Sequence, residues 1–352
     1  MKFITILSSF LYFINSNAFI NNFNFKPLEI RKRTILYKPT ILYDNNININ
    51  NTVSNNILKS ISNKINSYLK LIRYKNILPT FLLSFTGGWL INRSIIQLLE
   101  SPYFIVSTIN TILIMSASMV INDIYDIKID RINNLNRPLI TGEISINDAL
   151  LFYFTLLGLT EFLNLNYLPS NLQTIIHLTI FFINIYTPIL KRIPLIKNIS
   201  CAFVVSFSIF FAALSSTNEY IVLNKNFGLL SIFLSLIFFG SLYNELLLDM
   251  HDYDGDKDNK IYTLPVLFGK NFSWIVANII LTLNIIINSL SLVYLFNFNV
   301  GFLLLFIFST AKFELYNIKR YDYSKNVIIE SIKNLSETFM LLILYIFILS
   351  IM

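Results

Sequence analysis

Beyond residue 77 the chain alternates between long apolar runs and short polar breaks. Nine runs approach the ~20 residues that a helix needs to cross a bilayer's hydrocarbon core. They lie roughly at 78–98, 103–122, 146–165, 171–190, 196–216, 227–248, 272–295, 299–317 and 333–351. The seventh and eighth are separated only by NFNV. The pattern predicts an all-α fold: a polytopic membrane bundle of nine transmembrane helices over 57–352, with an amphipathic helix starting near Ile57.

The N-terminal stretch follows a different grammar. MKFITILSSFLYFINSNAF has one early lysine, a short apolar core and a small-residue site at Ser16-Asn17-Ala18. Residues 1–18 therefore read as a signal peptide, too short to span. Residues 19–56 carry Lys26, Arg31, Lys32, Arg33 and Lys38 against Glu29, until Asp44 opens the low-complexity linker DNNININNTVSNN. A signal followed by a basic, acid-poor segment beginning at Phe19 resembles the two-part leaders of algal plastids. The expected location is thus a plastid membrane, with an ordinary secretory signal and the endomembrane system as the alternative.

Composition agrees with a membrane protein: 55% of residues are hydrophobic and 13% charged. Soluble domains carry about 25% charged residues. The net charge of +7 is distributed by side. Loops after the even-numbered runs hold Lys128, Arg137, Lys191, Arg192, Lys197 and Lys319, among others; the opposite loops hold little beyond Arg93 and Lys225. This is the positive-inside pattern. The charge reports orientation, and no nucleic-acid partner is expected. The single Cys201 excludes an internal disulfide framework and reads as a packing residue. His177, inside TIIHLTI, reads as a packing or hydrogen-bonding residue.

The polar breaks carry the chemistry. NDIYDIKID follows the second apolar run and spaces Asn122, Asp126 and Asp130 at i, i+4, i+8, with Asp123 about 100° round the helix. Carboxylates so placed repel each other and sit where the helix macrodipole disfavours negative charge. A cation removes both objections. NELLLDMHDYDGDKDN follows the sixth run, with Asp249, Asp252 and Asp256 on one helical face, Glu245 a turn earlier and Asp254 pointing elsewhere. Two carboxylate runs on one side of the membrane suit hard divalent ions. Mg²⁺, which keeps few protein carboxylates and prefers phosphate oxygens, implies a phosphorylated ligand. Tyr186, Lys191, Arg192, Arg137 and Lys257 fall near the same face and can stabilise charge on a leaving group. Lys197 reads as a snorkelling or orientation residue.

Competing readings fare less well. An EF-hand with Gly255 at its invariant glycine puts Met250 and Ile261 at the first and last ligand positions, where neither side chain can ligate. A transporter usually carries ionisable groups deep in broken helices, and Glu161 alone does not supply them. A transporter or a non-catalytic protein keeping the fold stays as the alternative class.

These residues resemble a known family. NDIYDIKID with NRPLITGEIS, and DMHDYDGDKDNKIYTLPVLFG, are similar to the two aspartate motifs of the UbiA-type intramembrane prenyltransferases. YTPILKRIPLIKN resembles their tyrosine–lysine loop, and LIRYKNILPTFLLSFTGG the start of their first helix. The resemblance covers about residues 65 to 350. It implies nine helices and Mg²⁺-dependent ionisation of a polyprenyl diphosphate, whose geranylgeranyl- or phytyl-class group passes to a hydrophobic acceptor, lipid or aromatic. By motif match it implies metal ligation by Asn122, Asp126, Asp130, Asp249, Asp252 and Asp256. It implies diphosphate contact by Asn122, Asp123, Arg137 and Lys191, and catalytic roles for Lys191, Tyr186 and Arg137. Lys197 stands where many relatives have glycine. The local similarity is greatest to the chlorophyll-synthase-like and digeranylgeranylglyceryl-phosphate-synthase-like groups, and LKRIPLIKN favours the latter.

Overall fold

The structure is a computed structural model that describes residue 59 and residues 61–217 and 225–352. The leader and linker expected over 1–18 and 19–56 lie outside the described residues. Among the described residues there is no strand. Helix α1 covers 61–71. It is followed by α2 (Ile77–Ile91), α3 (Ile95–Glu100), α4 (Pro102–Tyr125), α5 (Ile127–Asn133), α6 (Pro138–Thr141), α7 (Ile146–Tyr167) and α8 (Ser170–Tyr186). Then come α9 (Ile196–Ser215), α10 (Lys225–His251), α11 (Tyr253–Asp258), α12 (Leu264–Phe268), α13 (Lys270–Leu295), α14 (Phe298–Ile307), α15 (Ser309–Arg320) and α16 (Lys325–Ile351).

Local signals explain where the helices start. Ser101 caps α4 by accepting from the Phe104 N–H, with Pro102 in the first turn; Ser145 caps α7 by accepting from the Asp148 N–H. The exposed face of α7 carries Leu151, Phe154, Phe162 and Leu165. An apolar face left uncovered by protein is what lipid requires.

All nine expected runs are helical, but the count needs correction. Seven helices among the described residues are long and apolar enough to cross a membrane. The other two runs form α2, of 15 residues, and α8, of 17. At 1.5 Å per residue, 15 residues reach about 22 Å, short of the ~30 Å hydrocarbon core. Helix α2 stops because Asn92 turns extended, and the chain resumes in the short α3.

One structural unit occurs twice. Helix α4 ends at a bend at Asp126 (φ −89°, ψ 3°) and continues as the short α5; α10 ends at a bend at Asp252 (φ −84°, ψ 5°) and continues as the short α11. Each short helix leads to a one-turn helix with proline in its first turn, α6 or α12. Each of those ends on a glycine at positive φ, Gly142 at 77° and Gly269 at 85°, where an L side chain would be strained. Each unit closes with a long helix that packs back on the first, α7 on α4 and α13 on α10.

Helix α2 packs on α9 through Gly87. A Cβ there would lie 2.3 Å from the Ile209 carbonyl oxygen and 2.9 Å from its Cγ2. Small residues at such crossings let backbones approach. Gly87→Ala is therefore expected to destabilise by about 1–3 kcal/mol through overpacking. Gly158→Ala, where a Cβ meets nothing within 4 Å, should not lower stability. Thermal midpoints in one detergent decide; equal midpoints for Gly87→Ala and wild type would refute the close crossing.

Candidate active site

The two bends govern the site. At the first, the Asp126 N–H donates to Asn122 O (2.9 Å) and the Asp130 N–H to Asp126 O (2.8 Å). At the second, Asp252 donates to Leu248 O (2.9 Å) and Asp256 to Asp252 O (3.0 Å). The i→i+4 register survives both bends, so each run keeps its side chains in line. Helices α5 and α11 contact each other, which brings the two runs together.

Cations from elsewhere in the chain meet these carboxylates. Asp123, 1% exposed, accepts from Arg73 Nη2 at 3.0 Å and from Arg137 Nη1 at 3.0 and 3.1 Å. Lys191, on the 3-10 turn Leu190–Arg192, pairs with Asp126. Thr187 donates to Asn122 Oδ1 at 2.6 Å, docking the same loop on the first run. In the second unit Asp249, 2% exposed, is paired by Lys197 on Oδ1 and accepts from Asn198 Nδ2 on Oδ2 at 2.9 Å. The repulsion evident in the sequence is thus answered from within the protein by Arg73, Arg137, Lys191 and Lys197.

The two units correspond at three acidic positions. Asp123 and Asp249 each lie three positions before the bend and are buried against cations. Asp126 and Asp252 are the bends themselves. Asp130 and Asp256 lie four positions beyond and are buried at 5% and 6% exposure. Burial pushes the Asp130 carboxyl above the usual carboxylate range, against a 2.9 Å hydrogen bond from Asn134. Burial likewise raises Asp256 to about 7, against the pull of Lys197. Asp256 Oδ2 is buried with no donor in bonding geometry, the neighbouring Thr263 hydroxyl included. A buried oxygen left without a partner needs explanation. Asp252 accepts from His251 Nδ1 at 2.8 Å if that nitrogen carries the proton.

Other expected residues sit apart. The Tyr186 hydroxyl lies 2.9 Å from Cys201 Sγ, not on a carboxylate, which gives Cys201 a polar contact in addition to packing. Arg192 is exposed and makes no ion pair among the described residues. Lys257 is exposed and stands 5.6 Å from the centre of the Tyr253 ring. Asp254 turns outward to Lys325 at 2.9 Å. His177 lies 3.0 Å from Glu161 Oε2 and 3.2 Å from Asn164, as a hydrogen-bonding residue should. Among the described residues no three His, Cys, Asp or Glu side chains converge as a preformed metal cage; Asp123, Asp126 and Asp249 engage lysines and arginines instead.

Lys197 corrects the sequence reading. It does not snorkel: its ammonium is turned inward onto Asp249. Leu195, at φ 64° and ψ −41°, starts α9 so that Lys197 and Asn198 face α10. A non-glycine residue in that region costs about 1–3 kcal/mol. Arg73, Thr187 and Asn198 were not singled out by sequence. For Arg73 the available signal was its place just before the first long apolar run, on the charged side.

Comparison with known proteins identifies the family. Residues 77–343 match the model of the UbiA prenyltransferase family. The digeranylgeranylglyceryl phosphate synthase of Sulfolobus acidocaldarius is 33% identical over 242 residues, 68% of this chain and 82% of that protein. The enzyme of the same name from Saccharolobus solfataricus is 31% identical over 259 residues, 72% and 86% of the two chains. A UbiA homolog from Archaeoglobus fulgidus, solved with GPP and Mg²⁺, shares the fold with a TM-score of 0.57 at 20% identity, over 81% of this chain and 100% of that one. With two carboxylate runs and their cations gathered among membrane-spanning helices, and with this family match across most of its length, the chain belongs to the UbiA prenyltransferase family and is a multi-pass membrane prenyltransferase.

Proposed function

We propose that the protein transfers a geranylgeranyl-class group from its diphosphate to the hydroxyl of a prenylated glycerol phosphate lipid. The observation that carries this reading is the meeting of α5 with α11, which joins the run paired by Arg73, Arg137 and Lys191 to the run paired by Lys197. The archaeal synthases that match it at 31% and 33% identity, together with the LKRIPLIKN loop, favour a lipid acceptor over an aromatic one. In the reaction the allylic C–O bond breaks, diphosphate leaves with the electron pair, and the acceptor oxygen bonds to the freed carbon with loss of its proton.

The donor set fits Mg²⁺: hard carboxylate oxygens, among them the buried, partnerless Oδ2 of Asp256. Asp126 and Asp130 would hold the ion from one run and Asp252 and Asp256 from the other, with Asn122 beside the first pair. The ion supplies charge neutralisation at the diphosphate oxygens. Arg73 and Arg137, fixed by Asp123, present guanidinium donors suited to phosphate oxygens. Lys191 reaches the same place as a compact charge. The plastid address rests on the leader over 1–56 alone.

Mass spectrometry of products from the purified protein tests the acceptor. With geranylgeranyl diphosphate, geranylgeranylglyceryl phosphate is expected to be converted, and hydroxybenzoate and homogentisate are not; the reverse preference would refute the lipid assignment. Kinetics test Lys191. Charge on the leaving group grows as the allylic bond breaks, so Lys191→Ala should lower kcat with little change in KM. Arg192→Ala should resemble wild type. An unchanged kcat and kcat/KM for Lys191→Ala would remove that residue from the site.

A further inference from the structure

We propose that Lys197 is a fixed cation of the diphosphate site, carried by Asp249, so that Asp249 is a lysine counter-ion and the metal ligands of the second run are Asp252 and Asp256. This rests on the metal–diphosphate reading above and changes which residues serve it. Three observations carry it. Both oxygens of Asp249 are already engaged, Oδ1 by the Lys197 ammonium and Oδ2 by the Asn198 amide. A divalent ion brought to that carboxylate would find neither oxygen free, whereas at Asp126 the Lys191 ammonium engages Oδ2 alone and the side chain keeps 16% exposure.

The duplication supplies the second observation. Asp249 occupies in its unit the position that Asp123 occupies in the other, and Asp123 is wholly given over to holding Arg73 and Arg137. The same position does the same work twice: it fixes cations, with guanidiniums in one unit and an ammonium in the other.

The third is the local backbone. Leu195 adopts positive φ immediately before α9, and the helix it starts sends Lys197 inward instead of to the headgroups. The Lys197 side chain retains 16% exposure against 3% for Asp249, so of the two it is the lysine that keeps an open face. Its charge also reaches Asp256 and Glu245.

The test counts bound ions and bound diphosphate in the full chain, in detergent, by equilibrium dialysis with Mn²⁺ and labelled inorganic pyrophosphate. Lys197→Met is expected to weaken pyrophosphate binding about tenfold at saturating Mn²⁺, and Lys197→Arg to recover most of it. The double variant Lys197→Met/Asp249→Asn, which removes both buried charges together, should keep the wild-type Mn²⁺ count, whereas Asp252→Asn should weaken Mn²⁺ binding about tenfold or more. Wild-type pyrophosphate affinity in Lys197→Met, or loss of Mn²⁺ in the double variant to the same degree as in Asp252→Asn, would overturn the proposal. A wild type that takes up no Mn²⁺ would overturn the metal reading instead. In that case the same pyrophosphate comparison, made without metal, still decides the role of Lys197.

Discussion

Asp126→Ala is expected to lower turnover about a thousandfold, equivalent to about 4 kcal/mol of transition-state stabilisation. Two losses combine. The bend between α4 and α5 loses its carboxylate, and Lys191 loses the partner that holds its ammonium at the site. Losing one preorganised donor to a developing oxyanion costs about a hundredfold to a thousandfold; here Lys191 is that donor and is left unanchored, and on the proposed metal reading a ligand goes with Asp126. Folding should survive, because the Asp126 side chain is partly exposed at 16% and the backbone register runs through the bend without it. Release of diphosphate from geranylgeranyl diphosphate in nanodiscs gives the rate, and size-exclusion behaviour controls for folding. Activity within tenfold of wild type would remove Asp126 from the machinery, and full activity in excess EDTA would remove the metal.

The second large effect is on stability. Asp123→Ala strips a buried carboxylate from two guanidiniums at once. Breaking a buried ion pair typically costs about 3–5 kcal/mol, because the remaining charge is left uncompensated. The lower end is expected here, since the Arg73 side chain is 35% exposed and can recover water. The lost alignment of Arg73 and Arg137 should also weaken diphosphate binding. The double variant Asp123→Ala/Arg137→Leu should be less destabilised than the sum of the two single changes, because one orphaned charge is removed with its partner. Thermal midpoints of the variants measure this coupling; strict additivity would show that the Asp123–Arg137 pair contributes nothing.

The parts of the fold and site that sequence reveals share a property: they are encoded locally. Each long apolar run announces its own helix, and the i, i+4 spacing of Asn122, Asp126 and Asp130 announces its own stripe. What sequence leaves dark needs the third dimension. Arg73 meets Asp123 across 50 residues and Thr187 meets Asn122 across 65, and no periodicity links such pairs. Lys197 misleads for a more instructive reason. A lysine at the start of an apolar helix ordinarily reaches for headgroups; here the helix begins after a positive-φ Leu195 and Lys197 meets Asp249 on α10, 52 positions away, which no local pattern announces. Counting spans by length overestimates α2 and α8, because apolar composition continues past the residues at which their hydrogen-bond ladders stop.

The repeated unit has a consequence for binding geometry. Two equivalent halves facing each other would give a clamp with a pseudo-twofold axis, and such a clamp accepts an elongated guest equally well in either direction. A prenyl diphosphate has a polar head and a greasy tail, so a productive clamp must break that degeneracy. The halves differ in this protein where it matters: paired guanidiniums back one inner aspartate, and a lone ammonium with an amide backs the other. Divergence between the copies therefore makes the two sides of the site unequal, with a planar, fork-shaped grip on one and a point charge on the other, the inequality that a clamp for a head-and-tail guest requires.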